Sequence, residues 1–168
     1  MKLMESSQHL TNGVILEAPF LGIPDFVPSA VVSAGVFLGR YRLTRWIAVS
    51  KVESSLISHD KELVKSYDTD PLVFHGGVPA ASVTASMDAK DEVFKNAGAL
   101  QVALLIAHGD DDRICPISGS KRLYEAAGSA DKTLKTYEQA YHVLRGEPQN
   151  KTKEKFLKDV IDWIQSRC

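Results

Sequence analysis

The run Val102-Ala103-Leu104-Leu105-Ile106-Ala107 constrains the fold more than any other feature of the chain. It has the length of a strand, and no polar residue interrupts it. It therefore predicts a strand covered on both faces, as in a parallel sheet flanked by helices. Val14-Ile15-Leu16, bounded by Asn12-Gly13 and Pro19, repeats the signal. Leu134-Lys135-Thr136-Tyr137 gives a third strand, alternating apolar and polar. Residues 80–97 read as a helix with Val83, Met87, Val93 and Phe94 apolar, and residues 116–127 as a loop and helix. Residues 152–166 form an amphipathic pattern: Phe156, Val160, Trp163 and Ile164 share one face, and Leu157 and Ile161 widen it. Strand, long helical insert, strand, helix, strand, helix is an α/β order.

The insert, residues 19–98, is less regular. Prolines 24 and 28 break its entry, and residues 30–38 and 41–49 read as two short helices. Asp70-Pro71 marks a turn, and His75-Gly76-Gly77-Val78-Pro79 a second break. Residues 1–9 read as a piece of helix with Leu3 and Met4 on its apolar side.

At 168 residues the chain has the size of one domain. Twenty basic residues against 21 acidic leave a net charge of −1, which argues against nucleic acid as a partner. Two cysteines, Cys115 and Cys168, are too few for a disulfide framework, and a reducing, cytoplasmic compartment is expected. The first residues lack the apolar core of a signal peptide. The longest apolar stretch, residues 27–38, is interrupted by Pro28, Ser29 and Ser33. It falls short of the roughly 18 apolar residues of a membrane span, although it could touch a membrane surface.

Two strand ends carry reactive side chains. One is His108-Gly109-Asp110-Asp111-Asp112-Arg113, the other Gln139-Ala140-Tyr141-His142. Ligands of open α/β sheets bind outside the carboxyl ends of strands, where an Asp and a His from different loops can meet. An Asp that accepts a hydrogen bond from imidazole fixes its tautomer and stabilises the imidazolium. A histidine so oriented can activate a hydroxyl nucleophile. On residues alone the plainer readings stay open: an acidic run as a solvated face or helix cap, and a histidine that is structural. The three aspartates lack the glycine and distal Glu of a calcium loop, and no Cys or His cluster has zinc spacing.

The segment Leu104-Leu105-Ile106-Ala107-His108-Gly109-Asp110-Asp111-Asp112-Arg113-Ile114-Cys115 resembles the acid loop of monoacylglycerol lipases, serine α/β-hydrolases of the lysophospholipase-like group. Asp131-Lys132-Thr133-Leu134-Lys135-Thr136-Tyr137-Glu138-Gln139-Ala140-Tyr141-His142-Val143-Leu144 is similar to their histidine segment. Gly13-Val14-Ile15-Leu16-Glu17-Ala18-Pro19 resembles the strand after their nucleophile helix, and Tyr67-Asp68-Thr69-Asp70-Pro71-Leu72 the end of their cap. The resemblance runs from about residue 12 to the C-terminus. It implies Asp112 as triad acid and His142 as triad base, in the chain order Ser, Asp, His. It also implies that residues 1–168 are a partial α/β-hydrolase domain holding the last three parallel strands, with residues 19–98 as a cap between strands.

The family's nucleophile sits in Gly-x-Ser-x-Gly, and no serine of this chain has glycine both two before and two after it. The sequence is expected to begin just after that elbow, with the nucleophile and the oxyanion-hole amides upstream. His75-Gly76-Gly77 lies too far downstream for an oxyanion motif and reads as a turn. The chain alone is therefore expected to lack serine-hydrolase activity, and no cofactor is implied. The substrate expected of the longer enzyme is a lipid ester, with Val31, Val32, Val36, Phe37 and Leu38 either admitting an acyl chain or packing within the cap. Peripheral membrane contact through the cap, with Arg40, Arg42 and Arg45 beside it, is a weaker expectation. The alternative is a non-catalytic form that binds lipid or another protein. The first strand, without its neighbour, is expected to leave an apolar edge that favours self-association. Cys115 is expected to be a small buried apolar residue rather than a reactive thiol.

Overall fold

The computed structural model describes residues 11–23, 29–41, 44 and 46–167. The expected helix over residues 1–9, together with Pro24, Pro28, Arg42, Arg45 and Cys168, lies outside the described residues.

Strands β1 (Gly13–Glu17), β4 (Ala103–Gly109) and β5 (Lys132–Tyr137) form a parallel sheet in the order β1-β4-β5. Val14 pairs with Leu104 and Leu16 with Ile106, while Ile106 pairs with Leu134 and Gly109 with Tyr137. The unbroken apolar run is thus the central strand, buried from Leu104 through Gly109. Leu104 and Ile106 face one side, packed with Leu21, Ala97, Leu123 and Ala127. Ala107 belongs to a second cluster with Tyr137, Ala140, Leu144 and Phe156. Opposite faces filled by alternate residues are what a strand between two helical layers requires.

Helix α4 (Ile117–Ala126) contributes Leu123 to the first face, and α5 (Thr152–Gln165) contributes Phe156 to the second. The apolar stripe of α5 is wider than its seat: Phe156 is buried and Val160 and Trp163 half-buried, but Leu157, Ile161 and Ile164 are exposed. A β-carbon on Gly13 would stand 2.5 Å from Cη2 of Trp163, so glycine lets the indole lie against the start of β1. Among the described residues β1 has no strand on its other edge.

Between β1 and β4 the chain leaves the sheet. It forms α1 (Ser29–Arg40), β2 (Ala48–Ser50), α2 (Lys61–Thr69), β3 (Val78–Pro79) and α3 (Ala80–Asn96). Helix α1 packs on α3, and β2 pairs with β3 in a short antiparallel ladder. The expected helix over 30–38 and the helix over 80–97 are both present. The helix expected over 41–49 is not: Thr44, Trp46 and Ile47 lie in turns, and Ala48 begins β2. There Ala80 N donates to Ile47 O at 2.8 Å, so a tertiary partner takes the hydrogen bond a local helix would have used. Helix α2 was not anticipated, although Asp60 caps it by accepting from the amides of Glu62 and Leu63. No helix among the described residues is long and apolar enough to cross a membrane.

Candidate active site

The loops after β4 and β5 lie on each other at the carboxyl end of the sheet. Asp111 N donates to Ala140 O at 3.2 Å, and Gln139 N donates to Oδ1 of Asp110 at 2.6 Å. A β-carbon on Gly109 would stand 2.2 Å from Ala140 O, so the glycine is what lets the loops touch. Gln139 turns the second loop with φ 55°, a left-handed conformation that costs a non-glycine residue about 1 kcal/mol or more.

This contact brings Asp112 and His142 together. Nδ1 of His142 is 2.8 Å from Oδ2 of Asp112. The other oxygen of Asp112 accepts from the amides of Ile114 (2.8 Å) and Cys115 (2.9 Å). The Asp112 side chain is buried, whereas that of His142 keeps 28% exposure. An ionised carboxylate only accepts, so the proton of His142 sits on Nδ1 and Nε2 is the basic nitrogen.

Burial pushes the Asp112 carboxyl up, but hydrogen bonds from His108, His142 and the Cys115 amide outweigh it. They hold the group well below the usual carboxylate range. Asp112 is therefore an anion at neutral pH, able to stabilise an imidazolium beside it.

The other two aspartates do different work. Asp110 braces the neighbouring loop, and Asp111 pairs with Arg113 at the surface, 3.1 Å from its Nε. Among the described residues no group of three or more His, Cys, Asp or Glu could hold a metal ion.

His108 is a site residue that the sequence reading missed. It is fully buried, with Nε2 2.7 Å from Cys115 O and 3.2 Å from Oδ2 of Asp112. Both neighbours are acceptors, so Nε2 carries the proton and Nδ1 accepts from the Ser120 hydroxyl at 2.7 Å. Its position, four residues before Asp112 and at the end of a buried strand, was the available signal. Ser120, His108 and Asp112 form a Ser–His–Asp chain, but Ser120 is fully buried on α4 and has no access to a substrate. Cys115 is also buried. Burial first, and then the Asp112 charge, push its thiol up to about 12, which leaves it unreactive at neutral pH.

His75 is exposed, with Nε2 3.1 Å from Asp70 O, and so closes a turn as expected. In the region between β1 and β4, Val31 and Phe37 are exposed, while Val32, Val36 and Leu38 are half-buried. A cavity of about 320 Å³ lies in that region, with Val52, Tyr67, Phe74 and Val78 in its wall beside Lys51 and Asp68.

A family model described as Serine aminopeptidase, S33 matches residues 1–149. The chain is similar to a monoacylglycerol lipase of Mycolicibacterium smegmatis, 34% identical over 155 residues that cover 92% of this chain and 54% of that protein. It is similar to a monoglyceride lipase of Rattus norvegicus, 31% identical over 163 residues that cover 97% of this chain and 53% of that protein. Among solved structures it resembles the monoacylglycerol lipase of Paleococcus ferrophilus, with a TM-score of 0.84 and 26% identity. That match covers 99% of this chain and 64% of that one. The chain spans about half the length of the curated relatives it matches.

Proposed function

The chain belongs to the serine aminopeptidase S33 family of α/β-hydrolases, and from that premise we propose that it supplies the acid and base of a monoacylglycerol-lipase-like ester hydrolase. The observation that carries this reading is the 2.8 Å contact between Nδ1 of His142 and the buried carboxylate of Asp112, at the carboxyl end of the sheet.

In this reaction a serine outside these 168 residues attacks the acyl carbonyl of a monoacylglycerol or related lipid ester. Nε2 of His142 takes the serine proton, and passes it to the glycerol oxygen as that bond breaks. Water then attacks the acyl-serine: His142 removes a proton from it and returns that proton to the serine oxygen as the acyl–oxygen bond breaks and the fatty acid leaves. Asp112 holds the tautomer and stabilises the imidazolium. Residues 19–98 form the cap over this site, and their exposed apolar side chains contact acyl chains or a membrane surface. The work is done in the cytoplasm. Those same apolar side chains support a second reading: a non-catalytic form that binds lipid or a protein partner.

The test joins this chain behind the part of the Mycolicibacterium smegmatis relative that it does not match, and measures fatty-acid release from a monoacylglycerol. The joined protein is expected to be active, and His142→Ala to lower kcat by about 10⁴-fold or more. An active joined protein whose rate is indifferent to His142→Ala and Asp112→Ala would overturn the reading.

A further inference from the structure

One short stretch, residues 57–59, grips the His142 loop on both sides of the histidine. Val143 N, just after His142, donates to Ile57 O at 3.0 Å. The Ser58 hydroxyl donates to Gly146 O at 2.8 Å. On the other side the grip passes through Glu147, whose side chain is fully buried. Its Oε2 accepts from the amide of Tyr141, just before His142, at 3.2 Å and from the amide of His59 at 3.3 Å. Its Oε1 accepts from Nδ1 of His59 at 3.0 Å and from the amide of Gln149 at 3.3 Å. The His59 ring stacks on Tyr141, centroids 3.7 Å apart.

A carboxylate has about four acceptor sites, and here four donors occupy them. Such a group holds its donors in one arrangement. Fold stability does not call for it, since a buried polar cluster can often be exchanged for apolar packing at no loss. What the arrangement does provide is a fixed backbone immediately before and after His142. A catalytic imidazole needs such support, because its geometry tolerates only about 0.5 Å of error.

We propose that Glu147 and His59 are positioning residues for His142, coupling the chain between β1 and β4 to the base of the reaction. The inference rests on the reading of His142 as that base. Neither residue touches substrate: Glu147 acts through the Tyr141 amide, and His59 through Glu147 and the Tyr141 ring.

The test is proton NMR of the 168-residue chain, following the low-field Nδ1–H signal of His142 bonded to Asp112 and its exchange with water. Glu147→Gln turns one acceptor into a donor facing donors, and should speed that exchange about tenfold. His59→Ala should speed it by a smaller factor, and His59→Asn, which keeps a donor where Nδ1 stands, should return it towards wild type. Amide protection in β4 should not change in the His59 variants, which separates positioning from general loosening. Unchanged exchange in His59→Ala would overturn the proposal even if Glu147→Gln fails to fold. If the wild-type chain lacks the signal altogether, the acid–base reading beneath the proposal fails instead.

Discussion

The carboxyl end of β4 and β5 and the region between β1 and β4 differ in how fully they satisfy themselves. At the first, both carboxylate oxygens of Asp112 are matched: two amides on one and two imidazoles at the other. The strand leading to it, β4, is buried along most of its length. In the second, Leu72 keeps 93% of its surface exposed, Phe74 73% and Trp46 72%. Apolar groups in that state gain nothing from the hydrophobic effect where they stand. The Asp112–His142 contact is held by hydrogen bonds from this chain's own loops, whereas the region between β1 and β4 leaves Leu72 and Phe74 largely exposed.

The sharpest way to break that contrast is to remove one member of the matched set. Asp112→Ala takes the acceptor from the amides of Ile114 and Cys115 and from Nδ1 of His142, and one of two acceptors from Nε2 of His108. Loss of one buried partner of this kind costs about 3–5 kcal/mol, so urea denaturation should show little folded protein remaining. A variant of near wild-type stability would mean that the site is not held as described.

The same contrast can be read with apolar deletions. Ile106→Ala, at a fully buried position, should cost about 2–5 kcal/mol. Leu72→Ala should stay within about 0.5 kcal/mol in a thermal melt. Equal costs at the two positions would erase the distinction between the regions.

These two outcomes also mark what the sequence made legible. The three sheet strands, the Asp112–His142 pair and the helix at residues 80–97 were readable, because a covered strand needs an unbroken apolar run and the paired loops carry specific residues. The β2–β3 ladder was not, because it joins residues far apart in sequence, one side patterned like a helix and the other, Val78-Pro79, like a break. His108 and Glu147 were missed for a related reason. Their identity says nothing until burial shows that a charged or polar side chain has been taken out of water with its partners.

Acid probes the matched set more gently. The folded Asp112 carboxyl lies below its ordinary value of 3.8. Its contribution is therefore complete above that value and is lost as pH falls from it towards the lower folded value. The urea midpoint of the wild type should drop across that acid range, and Asp112→Asn should flatten the drop. A midpoint as acid-sensitive in Asp112→Asn as in wild type would assign the loss to other groups.

The edge of β1 that carries no strand among the described residues gives a smaller, concentration-dependent effect. Sedimentation should show association of the chain that a charged or proline substitution at Ile15 weakens. A monomer with a sharp, reversible melt would contradict it. The smallest expected effect concerns Cys115, whose raised thiol should resist iodoacetamide at neutral pH until the chain is unfolded.

The function proposed above takes its base and acid, His142 and Asp112, from this chain and its nucleophile from outside it. Fluorophosphonate treatment of the 168-residue chain, followed by intact-mass measurement, tests that proposal most directly. The account predicts an unshifted mass. A single adduct on one of the chain's own serines, lost in His142→Ala, would contradict it by showing that a nucleophile is already present.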